Sequence, residues 1–170
     1  VLSAAAARAL AVDDTALLKK ALKRAERVLY VTDNAGEVVM DKLLIDTMLR
    51  LELVKPGNIT VAVRSKAFAN DALMEDAQLV GLTDVAHVIG TGSPYATLYP
   101  KFLSEEFLEE YRKADLLIAK GMGNFESVCE FTDKTTCSLL MTKCVPVAQK
   151  VGSELGAFVC QVRNAALLGL

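Results

Sequence analysis

The chain has 170 residues, four cysteines and a formal net charge of −2. That length suits one domain able to bury a real core. Acids and bases are interspersed, which leaves neither the basic stripe of a nucleic-acid binder nor the basic amphipathic helix of a membrane-surface protein. Apolar residues make up 52% of the chain and the mean hydropathy is +0.32. The apolar runs are nonetheless short, far below the ~18 residues of a membrane helix, and suit buried parallel strands.

The start is alanine-rich, begins with Val1 and contains Arg8. It lacks the basic start and cleavage site of a signal peptide. A trimmed or truncated amino terminus is expected, and a fragment of a longer protein at one or both ends. The apolar ends, 2–12 and 165–170, predict a surface covered by another chain or by further residues of this one. Asp13-Asp14-Thr15 then precedes a helix over 16–27, with Asp14 or Thr15 as its cap. Residues 28–32 read as a buried strand ending abruptly in Asp33-Asn34-Ala35-Gly36-Glu37, a tight turn and helix start. The helix is expected over 36–51, with Val38, Val39, Leu43, Leu44 and Met48 on one side.

Pro56-Gly57-Asn58 is a turn signal. A second strand over 59–63 ends in Arg64-Ser65-Lys66. After Asn70-Asp71, a helix over 71–80 stops at Gly81. A third strand, 85–89, leads into Gly90-Thr91-Gly92-Ser93-Pro94, and a helix follows over 102–113. The fourth strand, 116–119, ends in Lys120-Gly121-Met122-Gly123-Asn124-Phe125-Glu126. Residues 135–141 are expected to be helical, 145–148 a fifth strand and 157–162 a sixth.

Strands that alternate with helices and are apolar on both faces imply an α/β fold, a Rossmann-like, doubly wound, mostly parallel sheet in three layers. In such sheets ligands bind outside the carboxyl ends of the strands. The polar clusters Asp33-Asn34, Asn70-Asp71, 90–93 and 120–124 are therefore predicted to converge on one edge of a single domain.

Asp33 and Asp71 with the amides Asn34 and Asn70 form an all-oxygen set that suits a hard divalent ion such as magnesium or manganese, not a structural zinc. Lys120 and Lys143 lie near the same edge. With Asn124 and the backbone amides of the glycines they describe a phosphate site. Bland alternatives stand beside each residue. Asn34 and Glu37 have capping-box spacing. Asn70-Asp71 is an ordinary helix start, with Asp71, Glu75 and Asp76 favouring the dipole. Gly121-Met122-Gly123 lacks the third glycine of a dinucleotide loop. Lys143 alone reads as a surface lysine, and His87 as a packed residue of an apolar strand. Cys129, Cys137, Cys144 and Cys160 match no zinc or redox spacing. Free thiols in a reducing cytoplasm are the expectation.

Asp33-Asn34-Ala35-Gly36-Glu37, then Asn70-Asp71-Ala72, then 114–126, then Lys143-Cys144, occur in an order that resembles the damage-control phosphatase family, in its stand-alone archaeal and bacterial branch. The resemblance covers roughly 13–162. It implies a metal-dependent phosphatase acting on small phosphorylated metabolites, including sugar phosphates and phosphopantetheine-like compounds, with manganese, cobalt, nickel or magnesium as the ion. Carried over by motif, Asp33, Asn34 and Asp71 would hold the metal, and Glu37 would lie beside the substrate. Lys120, Asn124 and Lys143 would grip the phosphate, with Asn70 also at the substrate. Asp33, Glu37 and Asp71 are thus the catalytic candidates, with water favoured over a carboxylate as the attacking group and Glu37 as orienting or acid–base group. Family members usually carry an additional amino-terminal helical region covering part of the site. Association with such a segment, or a homo-oligomer, is expected. The loops 65–69 and 95–97 depart from the family pattern, so substrate identity transfers least. A non-catalytic module that binds a nucleotide or phospho-metabolite is the alternative. A haloacid-dehalogenase-like reading is set aside, because Ala35 stands where its second aspartate belongs.

Overall fold

The strands are β1 (Val12–Asp13), β2 (Val28–Val31), β3 (Ile59–Val63), β4 (His87–Gly90), β5 (Leu116–Lys120), β6 (Thr135–Met141) and β7 (Phe158–Arg163). The helices are α1 (Thr15–Arg24), α2 (Val38–Arg50), α3 (Met74–Leu79), α4 (Glu105–Lys113), α5 (Gly121–Val128) and α6 (Val145–Val151). This computed structural model describes residues 8–129 and 131–170, and the expectations made for residues 1–7 lie outside it.

One sheet holds the strands in the order β1-β7-β6-β5-β2-β3-β4. From β6 to β4 every pairing is parallel, while β7 runs antiparallel to β6 and β1 follows β7. The expected α/β, mostly parallel architecture is what forms. β2 and β3 are buried along their whole length, because side chains alternate between faces and both faces are covered. Val28, Tyr30, Val61, Val63, Leu116 and Ile118 pack against Leu18 and Leu22 of α1 and Ile45 and Met48 of α2. Leu29, Val31, Ala62, Leu117 and Ala119 pack against Phe107 of α4 and Val128 of α5. A third cluster joins Phe125, Leu140, Val147, Val151 and Val159. The result is three layers. The strand ends of β5, β2, β3 and β4 lie side by side at one edge.

Several elements differ from expectation. Residues 135–141 form strand β6, not a helix. Thr135, Thr136, Cys137 and Ser138 are buried between β5 on one side and β7 on the other, and a short apolar run carries no period that separates the two states. Residues 145–148 begin helix α6 instead of a strand. Pro146 stands in its first turn, where a missing N–H breaks no helical hydrogen bond. The strand expected over 85–89 is displaced to His87–Gly90, since Leu82–Asp84 winds into a 3₁₀ turn whose cap is Val85. His87 is exposed at the start of this edge strand, not packed. The helix expected over 71–80 begins only at Met74, which releases Asp71 from the helix. Cys137, Cys144 and Cys160 are free thiols. No helix among the described residues is long and apolar enough to cross a membrane.

Candidate functional site

β2 hands over to the site through Thr32, whose N–H and hydroxyl both donate to the Ala62 carbonyl at 3.1 Å. The chain then leaves the sheet, and Asn34 forms an isolated antiparallel bridge with Asp71. Ala35 N–H donates to the Asn70 carbonyl and Ala72 N–H to the Asp33 carbonyl, both at 2.8 Å. Arg64 N–H holds the Ala72 carbonyl at 2.9 Å. The segment around Asp71 is thereby laid across the ends of β2 and β3, and two acids distant in sequence become neighbours.

Asn34 does not act as a side-chain cap. Its amide donates instead to Asp33 Oδ2 at 2.9 Å and to Glu37 Oε1 at 3.1 Å. Asp33 lies against the first turn of α5, where Gly121 has φ +76° and an added Cβ would stand 2.1 Å from Asp33 Oδ2. Only glycine lets the carboxylate sit there. Burial, then the charges of Glu37 and Asp71, raises the Asp33 proton affinity above the ordinary carboxylate value, and Lys143 and Lys120 only partly offset this.

The α2 face of the sheet carries one cation. Register pairs Ile118 with Tyr30, and two residues on, Lys120 points to the same face. Its Nζ donates to Asp41 Oδ1 at 2.7 Å and to Glu37 Oε2 at 3.0 Å. The Tyr30 hydroxyl donates to the same Asp41 Oδ1 at 2.7 Å. Burial would lower the Lys120 pKa, but Asp41 and Glu37 outweigh it and the ammonium form is held above its usual range. Burial likewise pushes Glu37 up, and the Lys120 charge and hydrogen bond, with Asn34 and Lys143, pull it below the ordinary value.

The α5 face carries the other. Arg64 Nε donates to Asp71 Oδ2 at 2.7 Å, with both side chains buried. Arg64 Nη2 donates to Asn124 Oδ1 at 2.8 Å and also to the Ala96 carbonyl. Asn124 donates in turn to the carbonyls of Thr32 and Lys120, both at 2.8 Å.

The structure thus brings Asp33, Asn34, Glu37, Asp71 and Lys120 together. Lys143 is exposed at the rim, close enough for its charge to act on Asp33 and Glu37. Asn70 is exposed and contributes its backbone carbonyl to the bridge. Asn124, expected to grip phosphate, is instead completely buried, with both amide protons on backbone carbonyls and its oxygen on Arg64. It locks Arg64 and is not available to a ligand. Three residues had received no role from the sequence. Arg64 ends a strand, as the other site residues do. Asp41 lies four residues after Glu37, the helical spacing that puts both acids on one face. Tyr30 had no signal beyond a hydroxyl inside an apolar run. A hollow of about 600 Å³ lined by Leu22, Arg24, Arg27, Glu52, Lys55 and Asn58 lies at the other end of the sheet, away from these groups.

Among the described residues no three His, Cys, Asp or Glu side chains form a ready metal cage. The fit to a divalent ion rests on donor chemistry. Asp71, Glu37 and Asp41 each have a cationic partner, whereas Asp33 is in no ion pair among the described residues. Asp33 is therefore the acid lacking positive charge, and beside it stand Asp71 and the Asn34 amide. Two carboxylates and an amide oxygen suit a hard divalent cation that fills its remaining positions with water or substrate oxygens.

The strand ends of this α/β sheet thus gather four acids, Asp33, Glu37, Asp41 and Asp71, around the partly buried Lys120 and the buried Arg64. Comparison with known proteins gives the family. The model of the damage-control phosphatase ARMT1-like domain matches residues 1–159, and the chain belongs to this family. Damage-control phosphatase PH1575 of Pyrococcus horikoshii is 39% identical over 153 residues, covering 90% of this chain and 52% of that protein. A damage-control phosphatase of Archaeoglobus fulgidus is 32% identical over 154 residues, 90% of this chain and 51% of that protein. The crystal structure of a duf89 family protein from Pyrococcus horikoshii superposes with a TM-score of 0.85 at 38% identity, covering 91% of this chain and 53% of that one. The chain spans about half the length of the curated relatives it matches.

Proposed function

We propose that this chain carries the site of a divalent-metal-dependent phosphatase for phosphomonoesters of small metabolites, sugar phosphates or phosphopantetheine-like compounds, in a damage-control role. The carrying observation is Asp33, in no ion pair among the described residues, brought beside Asn34 and Asp71 by the bridge across β2 and β3. These three residues would hold manganese, cobalt, nickel or magnesium, which supplies a Lewis acid for a phosphoryl oxygen when bound. Glu37, held as carboxylate by Lys120, orients water toward phosphorus. Lys120 and Lys143 supply positive charge to the phosphate oxygens, Lys143 from the exposed rim. Asn124 and Arg64 fix Asp71, so that Oδ2 stays on Arg64 while Oδ1 is left for the ion. Asn70 and the loop carrying Ala96 border the non-phosphate part of the substrate. The cytoplasm is the proposed location, from the free thiols Cys137, Cys144 and Cys160, which suit a reducing compartment.

Hydrolysis of an aryl phosphate, measured after chelation and after adding back each of the four metals, tests the reading. Metal-restored turnover supports it. Silence with every metal, together with phosphate binding that persists in chelator, replaces it with a non-catalytic binding module.

A further inference from the structure

Asp41 is an anomaly in helix α2. Its side chain is 1% exposed, next to Val38 and Ile45, which are fully buried. An acid in such a place requires strong partners. Both of its donors, the Tyr30 hydroxyl and the Lys120 ammonium, converge on Oδ1, each at 2.7 Å. The other oxygen, Oδ2, is buried with no hydrogen-bond partner among the described residues. A carboxylate arranged to satisfy itself would divide its donors between two oxygens. This one concentrates them on a single point, and that point is where Lys120 ends.

Lys120 is 15% exposed. An ammonium has three donors. One goes to Asp41 and one to Glu37. Two fixed acceptors on a flexible four-carbon stem determine the direction of the third N–H, which a single partner would leave free to rotate. Tyr30, anchored in β2 between β3 and β5, fixes Asp41 from beneath. The chain of constraint runs from the sheet through the tyrosine and the aspartate to the lysine.

We propose that Asp41, backed by Tyr30, is a positioning residue that aims the third ammonium proton of Lys120 at a phosphoryl oxygen while Lys120 also holds Glu37 in place. This rests on the phosphatase reading only for what the phosphate belongs to. The proposal itself concerns the orientation of Lys120 toward a phosphate. Asp41 touches no substrate and acts through the lysine.

The test uses the protein at the length in which its host produces it, with Asp41→Asn as the main variant. The amide keeps an acceptor oxygen in the same place and removes the charge. The first readout is acetic anhydride labelling of Lys120, followed by mass spectrometry, with exposed Lys20 of α1, outside the site, as internal reference. Wild type is expected to label Lys120 at least tenfold more slowly than Lys20, and Asp41→Asn to raise the Lys120 rate at least tenfold. The second is protection by inorganic phosphate in the manganese-loaded protein. Phosphate is expected to slow Lys120 labelling at least threefold in wild type and not in the variant. The third is turnover of an aryl phosphate, where kcat/KM is expected to fall at least tenfold while half-saturation by manganese moves less than threefold.

Unchanged Lys120 labelling in Asp41→Asn overturns the proposal. So does a variant with faster labelling but with phosphate protection intact, or with kcat/KM within twofold of wild type. A merely structural role would lower the melting temperature and leave these ratios alone. A wild type that shows phosphate protection without turnover sinks the phosphatase reading and leaves the positioning role standing. Where Asp41→Asn does not fold, Tyr30→Phe takes its place. It retains the charge, removes one of the two constraints on Oδ1, and is expected to raise Lys120 labelling two- to fivefold, with no change counting against the proposal.

Discussion

On the α2 face of the sheet Lys120 meets two carboxylates, Glu37 and Asp41, whereas on the α5 face Arg64 meets one, Asp71, and two neutral oxygens, of Ala96 and Asn124. The orphaned atoms are of opposite kind. Among the described residues the lysine flank leaves a bare acceptor, Asp41 Oδ2, and the arginine flank a bare donor, Arg64 Nη1. The planar guanidinium fork suits the second task, because its donors can be tied into backbone and side chain at once. Arg64 thus joins three segments, at Asp71, Ala96 and Asn124, and belongs to the fold as much as to the site. The compact ammonium suits the first, with donors that turn to follow their acceptors. Between the flanks stands Asp33, in no ion pair among the described residues. Each flank thus pairs its cation with acid, and the charge of Asp33 is left without an ion-pair partner between them.

Removing the unpaired acid should have the largest effect. Asp33→Ala is expected to lower metal-dependent turnover by about 10²–10³-fold, the scale of losing a principal electrostatic stabiliser. The circular dichroism spectrum should be unchanged, because it is the Asp33 backbone carbonyl that accepts from Ala72. Turnover retained in this variant would remove Asp33 from the ligand set. Arg64→Met breaks the other flank. It leaves Asp71 buried without its partner, at a cost of about 3–5 kcal/mol, read from the denaturant midpoint. A loss below 1 kcal/mol would mean that Asp71 is not held by Arg64.

Gly121→Ala sharpens the position of Asp33. The positive φ and the 2.1 Å approach of a Cβ to Asp33 Oδ2 should cost on the order of 1–3 kcal/mol in strain. Manganese affinity, measured by calorimetry, should weaken with it. Normal affinity would show the carboxylate to sit elsewhere. The smallest effect is expected from Tyr30→Phe, about 1 kcal/mol for one hydrogen bond at neutral pH. Its signature is alkaline. Burial and Asp41 hold the Tyr30 phenol well above its ordinary value of 10.0, so the folded chain keeps a proton that the unfolded chain releases. This contribution is complete below about pH 10 and is lost as pH rises toward the folded value. Tyr111, raised by burial and by Asp133, adds a parallel slope. Denaturant titrations at pH 8 and pH 11 should show a shallower loss in Tyr30→Phe than in wild type, and an equal loss would contradict the burial of its hydroxyl.

The meeting of Asp33 with Asp71 was legible from strand ends alone, since a parallel sheet forces its carboxyl ends to one edge. The direction of residues 135–148 was not. Thr135–Met141 has no period to distinguish helix from strand, and only its place between β5 and β7 decides. Pro146 did carry a signal for a helix start that the apolar neighbours Val145 and Val147 masked. Asn124 was assigned to phosphate by motif, yet motif order says nothing of burial, and its amide closes the fold around Arg64.

The sequence by itself determined the class of fold, the edge where chemistry collects and the acids and lysines gathered there, because hydrophobic periodicity and strand-end polarity are local properties of the chain. Only the tertiary structure decided which cation meets which acid. Pairing depends on which face of the sheet a side chain takes and on which helix covers that face. Lys120 alternates toward α2 and finds Asp41, and Arg64 alternates toward α5 and finds Asn124. No residue carries that choice within its own segment.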